Sequence, residues 1–237
     1  MRRSLAVGAL FCLIFAIAFA PASLLRSLVP SQVVLLNPTG TLWRGSSQLI
    51  QQSHPLGELR WRISPAALLR GSLRYDLVLD NAIDQLSGAI ELAPWQAATR
   101  IEISGALTAV TVNQWLLPYH IDLSGIFTLE NVQVTLVEWL PAATKGTIVW
   151  SGGRVTYTLS GKTSSSILPE MRAYLGEGPE AVVYPIGGQT PLLYAELLAT
   201  GYAKVGITMR LTRLLNDPWP GGEPDHAVVL EVEEQVF

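Results

Sequence analysis

The feature that most constrains the fold is an alternation of apolar and polar residues that recurs along the chain after residue 31. Leu59, Trp61 and Ile63, for example, alternate with Arg60 and Arg62. Because residues two apart lie on the same face of a strand, this period of two predicts half-buried β-strands. Similar segments cover residues 32–36, 40–52, 71–80, 98–107, 120–139, 145–161, 190–201, 203–215 and 225–237.

Glycine positions favour an antiparallel arrangement of these strands. Parallel βαβ units would require longer crossover helices, whereas short turns between β-runs are typical of a meander. Four dipeptides near strand starts are interpreted as such turns: Ser87-Gly88, Ser104-Gly105, Ser124-Gly125 and Lys145-Gly146. Gly-Gly pairs at residues 152–153, 187–188 and 221–222 are further hairpin or bulge candidates. We therefore predict a mainly β protein with one antiparallel β-rich domain.

Three segments have the boundary signals of short helices. The first, residues 64–71, has Ser64 as N-cap, Pro65 at the first helical position and Gly71 just beyond the end. A weaker candidate covers residues 111–118, and a third covers residues 168–176. We expect the first of them to connect the strand that ends at Ile63 to the one that starts at Ser72.

The N-terminus has the composition of a membrane anchor. Arg2 and Arg3 precede an uncharged run over residues 4–25, long enough for the roughly 20 residues that span a bilayer. A cleaved signal peptide is the alternative, with a cleavage site at residues 18–20, but Pro21 would then follow the cut. An uncleaved anchor is favoured.

The flanking charges predict the orientation of this anchor. The positive-inside rule keeps Arg2 and Arg3 in the cytoplasm. Residues 1–4 are then cytoplasmic, residues 5–25 form one transmembrane helix, and residues 26–237 form the exported β-rich domain. No second apolar segment of spanning length follows in the sequence.

Charge and cysteine content exclude two kinds of site. The formal net charge is -3 and no basic block occurs, whereas nucleic-acid binding needs clustered Lys and Arg. Cys12 is the single cysteine, so an intramolecular disulfide and a cysteine-rich zinc site are impossible. We predict no nucleic-acid partner, no metal and no cofactor.

Motifs for nucleophilic or nucleotide chemistry are incomplete. Gly161-Lys162-Thr163 matches the end of a P-loop, but Thr156 stands where the first glycine is needed and no helix pattern follows. These residues predict a turn instead. No GxSxG sequence occurs. The dispersed histidines, which are more typical of surface or edge positions, are His54, His120 and His226.

Carboxylates form one cluster, at Glu231, Glu233 and Glu234 near the C-terminus. An exposed terminal strand explains it, with Glu231 and Glu233 on the same face. Asp80 and Asp84 flank a predicted turn and are expected to cap it. Because no acid/base pair is convincing, we expect a non-enzymatic protein without catalytic residues.

Aromatic residues are more informative than the titratable ones. Core or sheet-face packing is the expected role of most tryptophans, and a surface for a partner or lipid is the alternative. Residues 37–40 predict a turn, and residues 41–44 predict the start of a strand with Trp43 packed. The seven tryptophans are Trp43, Trp61, Trp95, Trp115, Trp139, Trp150 and Trp219.

The order of these features resembles a known family. GTLWRG at residues 40–45 and LRWRISPAALLRGSLRYDLVL at residues 59–79 follow the apolar start, and LSGAIEL, DLSGIFTL and KGTIVWSGGRVTYTLSG come later. This arrangement is similar to protein N of the bacterial type II secretion system. The resemblance implies a single-pass inner-membrane protein with a periplasmic domain. Its partners would be the inner membrane and other secretion components, and its role the export of folded proteins.

A weaker resemblance leads to a different function. Leu-Arg-Trp followed by a short helix is also similar to AsmA-like periplasmic proteins, which implies a β-groove that handles lipid. The sequence thus leaves an interaction module and a lipid-handling groove open, with an envelope hydrolase as a remote third alternative.

Overall fold

The computed structural model of the protein describes residues 15–27, 29, 33–51, 54–93, 98–138, 140–159, 161–198 and 200–235. The chain divides into two compact units, the first ending at Ala82 and the second beginning at Ile83. Every strand pair described below is antiparallel. The predicted mainly β, antiparallel fold with few short helices is confirmed.

The first unit is a meander in which each strand pairs with the next. A 3-10 helix over Ala22–Ser27 precedes it. Its elements are β1 (Val33–Gly40), β2 (Arg44–Gln51), β3 (His54–Ile63), α1 (Pro65–Leu68) and β4 (Leu73–Asp80). The helix α1 confirms the first predicted helix, with Ser64 at its N-cap and Pro65 as its first residue.

The alternation in β3 and β4 produces two chemically different faces. Trp61 lies opposite Leu77, and Leu59 lies opposite Leu79. The intervening residues fall on the other face, where Arg62 lies opposite Asp76. Because Trp61 is only 4% exposed, the apolar face is the inner one.

The second unit has one long strand order and a small second sheet. The long order is β5-β6-β8-β9-β12-β13-β14-β15-β16, and the small sheet is β11-β10-β7. The strands are β5 (Gln85–Ala93), β6 (Ala98–Thr108), β7 (Ile121–Leu123), β8 (Ile126–Val137), β9 (Leu140–Trp150), β10 (Gly153–Leu159), β11 (Lys162–Leu168), β12 (Met171–Leu175), β13 (Glu180–Pro185), β14 (Leu193–Leu197), β15 (Tyr202–Thr208) and β16 (Val228–Gln235). Two α-helices interrupt them, α2 (Ala109–Leu116) and α3 (Met209–Leu214), and a 3-10 helix over Leu117–Tyr119 follows α2.

The core of the second unit contains residues of both sheets. Trp150 is 7% exposed, its ring stacks on Phe127 at 6.0 Å, and its indole nitrogen donates to the Ser124 carbonyl oxygen at 2.8 Å. Ser166 in β11 donates to the Leu215 carbonyl oxygen at 2.6 Å, which ties the small sheet to the end of α3. The buried core residues are Trp150, Val155, Leu168, Met171 and Leu192.

Two helix predictions differ from the structure. Residues 168–176 were expected to form a helix, but Met171–Leu175 is the strand β12, which pairs with β9 and β13. Pro169 precedes that strand and Gly176 follows it. Residues that commonly begin and end a helix are therefore present although no helix forms between them. Conversely, residues 203–215 were read as one strand, and the structure ends β15 at Thr208 and starts α3 at Met209.

The dipeptides interpreted as turns are corrected at three of four positions. Gly88, Gly105 and Gly146 lie inside strands, and only Ser124-Gly125 connects two strands. Gly105 has φ +137°, and the register shifts between Ile103 and Gly105, so this glycine supports a β-bulge. The weaker helix prediction at residues 111–118 is confirmed by α2, which begins two residues earlier.

Much of the predicted membrane span lies outside the described residues. Residues 1–14, with Cys12, belong to that part, and residues 15–18 are helical. Among the residues that the structure describes, no helix has the length and apolar character needed to cross a bilayer. The single span over residues 5–25 and the domain boundaries built on it stay predictions.

Candidate interaction surfaces

The turn that joins β1 to β2 is tighter than the sequence suggested. The expected turn at residues 37–40 is the end of β1, and residues 41–43 are the connection rather than a strand start. The Thr41 amide donates to the Arg44 carbonyl oxygen at 2.9 Å. The Thr41 hydroxyl accepts from the amides of Trp43 and Arg44, each at 3.3 Å. The Thr41 side chain thus stabilises the turn by accepting hydrogen bonds from two of its backbone amides.

Gly45 is required where β2 passes Trp61. A Cβ atom at Gly45 would lie against the Thr39 carbonyl oxygen and 2.5 Å from the Trp61 ring. The Trp61 indole nitrogen donates to the Thr41 carbonyl oxygen at 3.1 Å. The small residue and the large ring therefore hold the turn between β1 and β2 together.

The same turn binds the end of the N-terminal apolar segment. The Trp43 indole nitrogen donates to the Ile17 carbonyl oxygen at 2.8 Å, and the Leu42 amide donates to the Ala20 carbonyl oxygen at 2.8 Å. Pro21 forms a β-bridge with Thr41. We call these contacts the N-terminal latch. A cut after Ala20 would separate both acceptor carbonyls from their donors in the latch.

The outer strands β1 and β16 differ in how far their unpaired edges are covered by other residues. Beside β1, the Arg26 guanidinium donates to the Leu35 carbonyl oxygen at 3.2 Å, so part of that edge is covered. Within the described ranges, β15 is the only strand that pairs with β16. Most residues of β16 are exposed. An uncovered strand edge presents backbone donors and acceptors to any extended partner.

Three acidic residues lie within the strand β16, at Glu231, Glu233 and Glu234. Glu233 lies opposite Lys204 in the register, and Glu231 lies on the same face, as predicted. Glu231 accepts a hydrogen bond from the Lys204 ammonium at 2.9 Å, which raises the pKa of Lys204 above its ordinary value of 10.5. Glu233 and Glu234 are exposed. We call β16 with these carboxylates the acidic edge.

The other candidates from the sequence occupy structural positions. Gly161 lies in the turn between β10 and β11 and Lys162 opens β11, so the P-loop fragment is part of a hairpin, as predicted. His54, His120 and His226 are each exposed. In the described part of the chain, no group of three or more His, Cys, Asp and Glu residues is arranged to hold a metal ion.

Asp80 and Asp84 do not act together on one turn. Asp80 forms an ion pair with Arg60 at 3.0 Å. Asp84 is 5% exposed and accepts hydrogen bonds from the Thr108 amide at 2.6 Å and from the Thr111 hydroxyl. It therefore holds the start of α2 through the N-cap residue Thr108 and the Thr111 hydroxyl, a long-range role that the expectation of a local turn cap missed.

The tryptophans divide between core and surface. Trp61 and Trp150 are buried, Trp43 is half-buried, and Trp115 and Trp219 are 42% and 39% exposed. Trp95 and Trp139 lie outside the described residues. Packing is confirmed for the two buried residues, and Trp43 is held by the N-terminal latch.

Comparison with known proteins assigns the family. The family model for the type II secretion system (T2SS), protein N, matches residues 31–206, which is well over half of the chain. No curated protein matches the chain significantly. No solved structure does so either. The matched range includes the turn with GTLWRG and the β3–α1–β4 segment, two of the segments on which the resemblance rests. The chain belongs to the type II secretion system protein N family.

Proposed function

We propose that the protein is a non-enzymatic interaction module of the type II secretion system. In this proposal the apolar N-terminal segment is a retained single-pass anchor in the inner membrane, with its start in the cytoplasm. The β-rich part lies in the periplasm, where it assists the export of folded proteins. Family membership supports the secretion role, and the N-terminal latch supports retention of the anchor.

The acidic edge is the observation that carries the interaction role. An extended segment from another protein can add to an exposed strand, with backbone hydrogen bonds that supply affinity and side chains that supply specificity. The outer side of β16 is available for such pairing in the described structure. Because Glu233 and Glu234 are exposed there, the partner segment we propose is a basic strand of another secretion component.

Site-specific photocrosslinking tests this role in the intact envelope. A photoreactive residue replaces Glu233 in the full chain, and a control places it at Gly222, which is also exposed but lies outside a strand. The expected result is a crosslink from position 233 to a secretion component, identified by mass spectrometry, and none from position 222. Equal crosslinking from both positions, or crosslinks from position 233 only to unrelated proteins, would contradict the proposal.

A lipid-handling groove is the second candidate, and one observation favours it. Three neighbouring strands of the second unit place apolar side chains in one row, in which Ile90 lies opposite Ile101 and Ile101 lies opposite Val134. These three residues are only half-buried. Partly exposed apolar surface of this kind is typical of ligand-binding or interaction sites.

The two faces of β6 provide a matched test of this second candidate. A photoreactive residue at Ile101 samples the apolar face, and one at Glu102 samples the opposite face of the same strand. If the protein carries lipid, crosslinked acyl chains should be recovered from position 101 and not from position 102. Absence of lipid at both positions would remove the candidate.

A further inference from the structure

Two arginines lie directly opposite each other on neighbouring strands of the first unit. Arg44 in β2 faces Arg62 in β3 across the register, and both side chains are exposed. Like charges in this arrangement repel and destabilise the strand pair. Among the described residues neither guanidinium forms an ion pair with a carboxylate, whereas neighbouring Arg60 pairs with Asp80. Asp76 lies opposite Arg62 on β4, but its carboxylate accepts from Arg74 instead. An anion between the two guanidinium groups would offset their repulsion.

The arginine pair lines a groove that contains further hydrogen-bond donors. The groove has a volume of about 650 Å³. Thr39 and Ser46 line it with hydroxyl groups 3.3 Å apart. Its single lining carboxylate among the described residues, Asp76, accepts a hydrogen bond from Arg74 at 3.2 Å. Guanidinium groups with nearby hydroxyls are the donors that bind phosphate oxygens.

One residue of the groove is adjacent in sequence to the N-terminal latch. Arg44 directly follows Trp43, which donates to the Ile17 carbonyl oxygen in the N-terminal latch. On that segment Phe15 and Phe19 are 56% and 63% exposed. Tryptophan beside the end of an apolar span, as Trp43 is here, is typical of the membrane–water interface, where phospholipid phosphates also lie.

We propose that this arginine groove binds the phosphate of a net-anionic phospholipid at the membrane surface. Arg44 and Arg62 would each donate to phosphate oxygens, and the Thr39 and Ser46 hydroxyls would donate to the remaining oxygens. The acyl chains would stay in the bilayer beside the N-terminal segment. The inference depends on the proposed membrane anchor but not on the acidic edge, which lies in the other unit.

Native mass spectrometry of the full chain in non-ionic detergent micelles tests the groove. The probes are phosphatidylglycerol, which carries a net negative charge, and phosphatidylcholine, which does not. The test variant is R44Q/R62Q. The control R70Q/R154Q removes the same charge from two exposed arginines that do not line the groove. Wild type and control should bind phosphatidylglycerol in preference to phosphatidylcholine.

The test variant should bind phosphatidylglycerol about thirtyfold more weakly, because each arginine contributes about fivefold to attraction by anionic lipid. Equal binding by R44Q/R62Q and the control, or no preference between the lipids, would overturn the proposal. Inorganic phosphate serves as a competitor. Displacement of the lipid by an equal concentration of phosphate would identify a free-anion site and also overturn the lipid assignment.

Thermal unfolding without added lipid separates this role from a structural one. R44Q alone removes the repulsion and keeps Arg62 opposite Asp76, so its Tm should be unchanged or higher than that of wild type. A clearly lower Tm would mean that the arginines stabilise the fold themselves, which contradicts the premise. If wild type showed no membrane attachment in cells, the proposed anchor would fail instead. If only the groove proposal were wrong, the protein would still be attached to the membrane but would show no preference for phosphatidylglycerol over phosphatidylcholine.

Discussion

At the scale of single residues, the turn between β1 and β2 shows why a short sequence motif can identify a family without containing a catalytic residue. Gly45 makes room for the Trp61 ring, and Trp43 reaches the Ile17 carbonyl oxygen. The sequence predicted that Trp43 would be packed, but not its partner, because that contact joins residues 26 positions apart. Substitutions at Gly45 and Trp43 can therefore test the close approach to Trp61 and the hydrogen bond to Ile17 separately.

Substitution of Gly45 tests the close approach of β2 to Trp61. Gly45→Ala should lower the free energy of unfolding by about 2 kcal/mol, because the added Cβ overlaps the Thr39 carbonyl oxygen and the indole ring. Gly222→Ala is the matched control, since nothing lies within 4 Å of a Cβ there. Chemical denaturation measures both. Equal stability of the two variants would show that the strand relaxes freely at Gly45.

Substitution of Trp43 tests the N-terminal latch. Trp43→Phe keeps an aromatic ring but removes the donor to Ile17, and should cost about 1 kcal/mol of unfolding free energy. Trp219→Phe serves as control, because Trp219 is 39% exposed and contributes only its backbone amide to a hydrogen bond, with Thr212. Denaturant midpoints compare the two. A loss as large in the control would argue against the latch.

At the scale of elements, the period-two alternation predicted the strands better than proline and glycine at segment boundaries predicted the helices. The alternation in residues 59–63 and 71–80 predicted the two faces that the register of β3 and β4 confirms. Pro169 and Gly176 suggested a helix, yet the segment between them pairs on both sides as β12. Tertiary pairing overrode those local signals. In α3, burial of Met209 and Thr212 follows helical spacing, which the sequence alone did not distinguish from a strand.

The candidate surfaces were predictable only in part, for the same reason. The sequence placed Glu231 and Glu233 on one strand face, and the register agrees. It could not show that the outer side of β16 is unpaired, because strand order is a property of the folded chain. It also could not place Arg44 opposite Arg62, since that contact depends on the register of β2 against β3.

The ion pair between Lys204 in β15 and Glu231 in β16 should make the thermal stability of the protein vary with pH in the alkaline range. Hydrogen bonding to Glu231 raises the pKa of Lys204 in the folded protein, followed by the attraction of the Glu231 charge. The contribution is therefore fully present below the unfolded value of 10.5, and is lost as the pH rises through the higher folded value. The Tm difference between wild type and Glu231→Gln should shrink across this range. A difference that stayed constant would contradict the pairing.

At the scale of the whole molecule, the proposed anchor would hold the protein at the membrane, and the unpaired edge of β16 would leave it available to a partner. The latch contacts include the Ile17 and Ala20 carbonyl oxygens, so the proposed anchor leads directly into the first unit. The acidic edge belongs to the second unit. Both features fit a secretion component that works by contact.

Retention of the N-terminal segment can be measured directly. Because Ile17 and Ala20 take part in the latch, the protein isolated from membranes should have the intact mass of the uncleaved chain. A mass that corresponds to a chain beginning at Pro21 would show signal-peptide cleavage and refute the anchor. Trp43→Phe should keep the same uncleaved N-terminus, with a mass that differs from wild type only by the substitution, since it weakens the latch without altering residues 18–20.

The central claim, that the protein serves type II secretion through contact, is tested most directly by exoprotein localisation. The gene is deleted and complemented with wild type, with E233Q/E234Q, or with E177Q/E223Q, which removes the same charge from exposed positions outside β16. We expect folded exoproteins to accumulate in the periplasm of the deletion strain. They should also accumulate, to a lesser extent, with E233Q/E234Q, while wild type and E177Q/E223Q restore export. Normal export from the deletion strain would contradict the account.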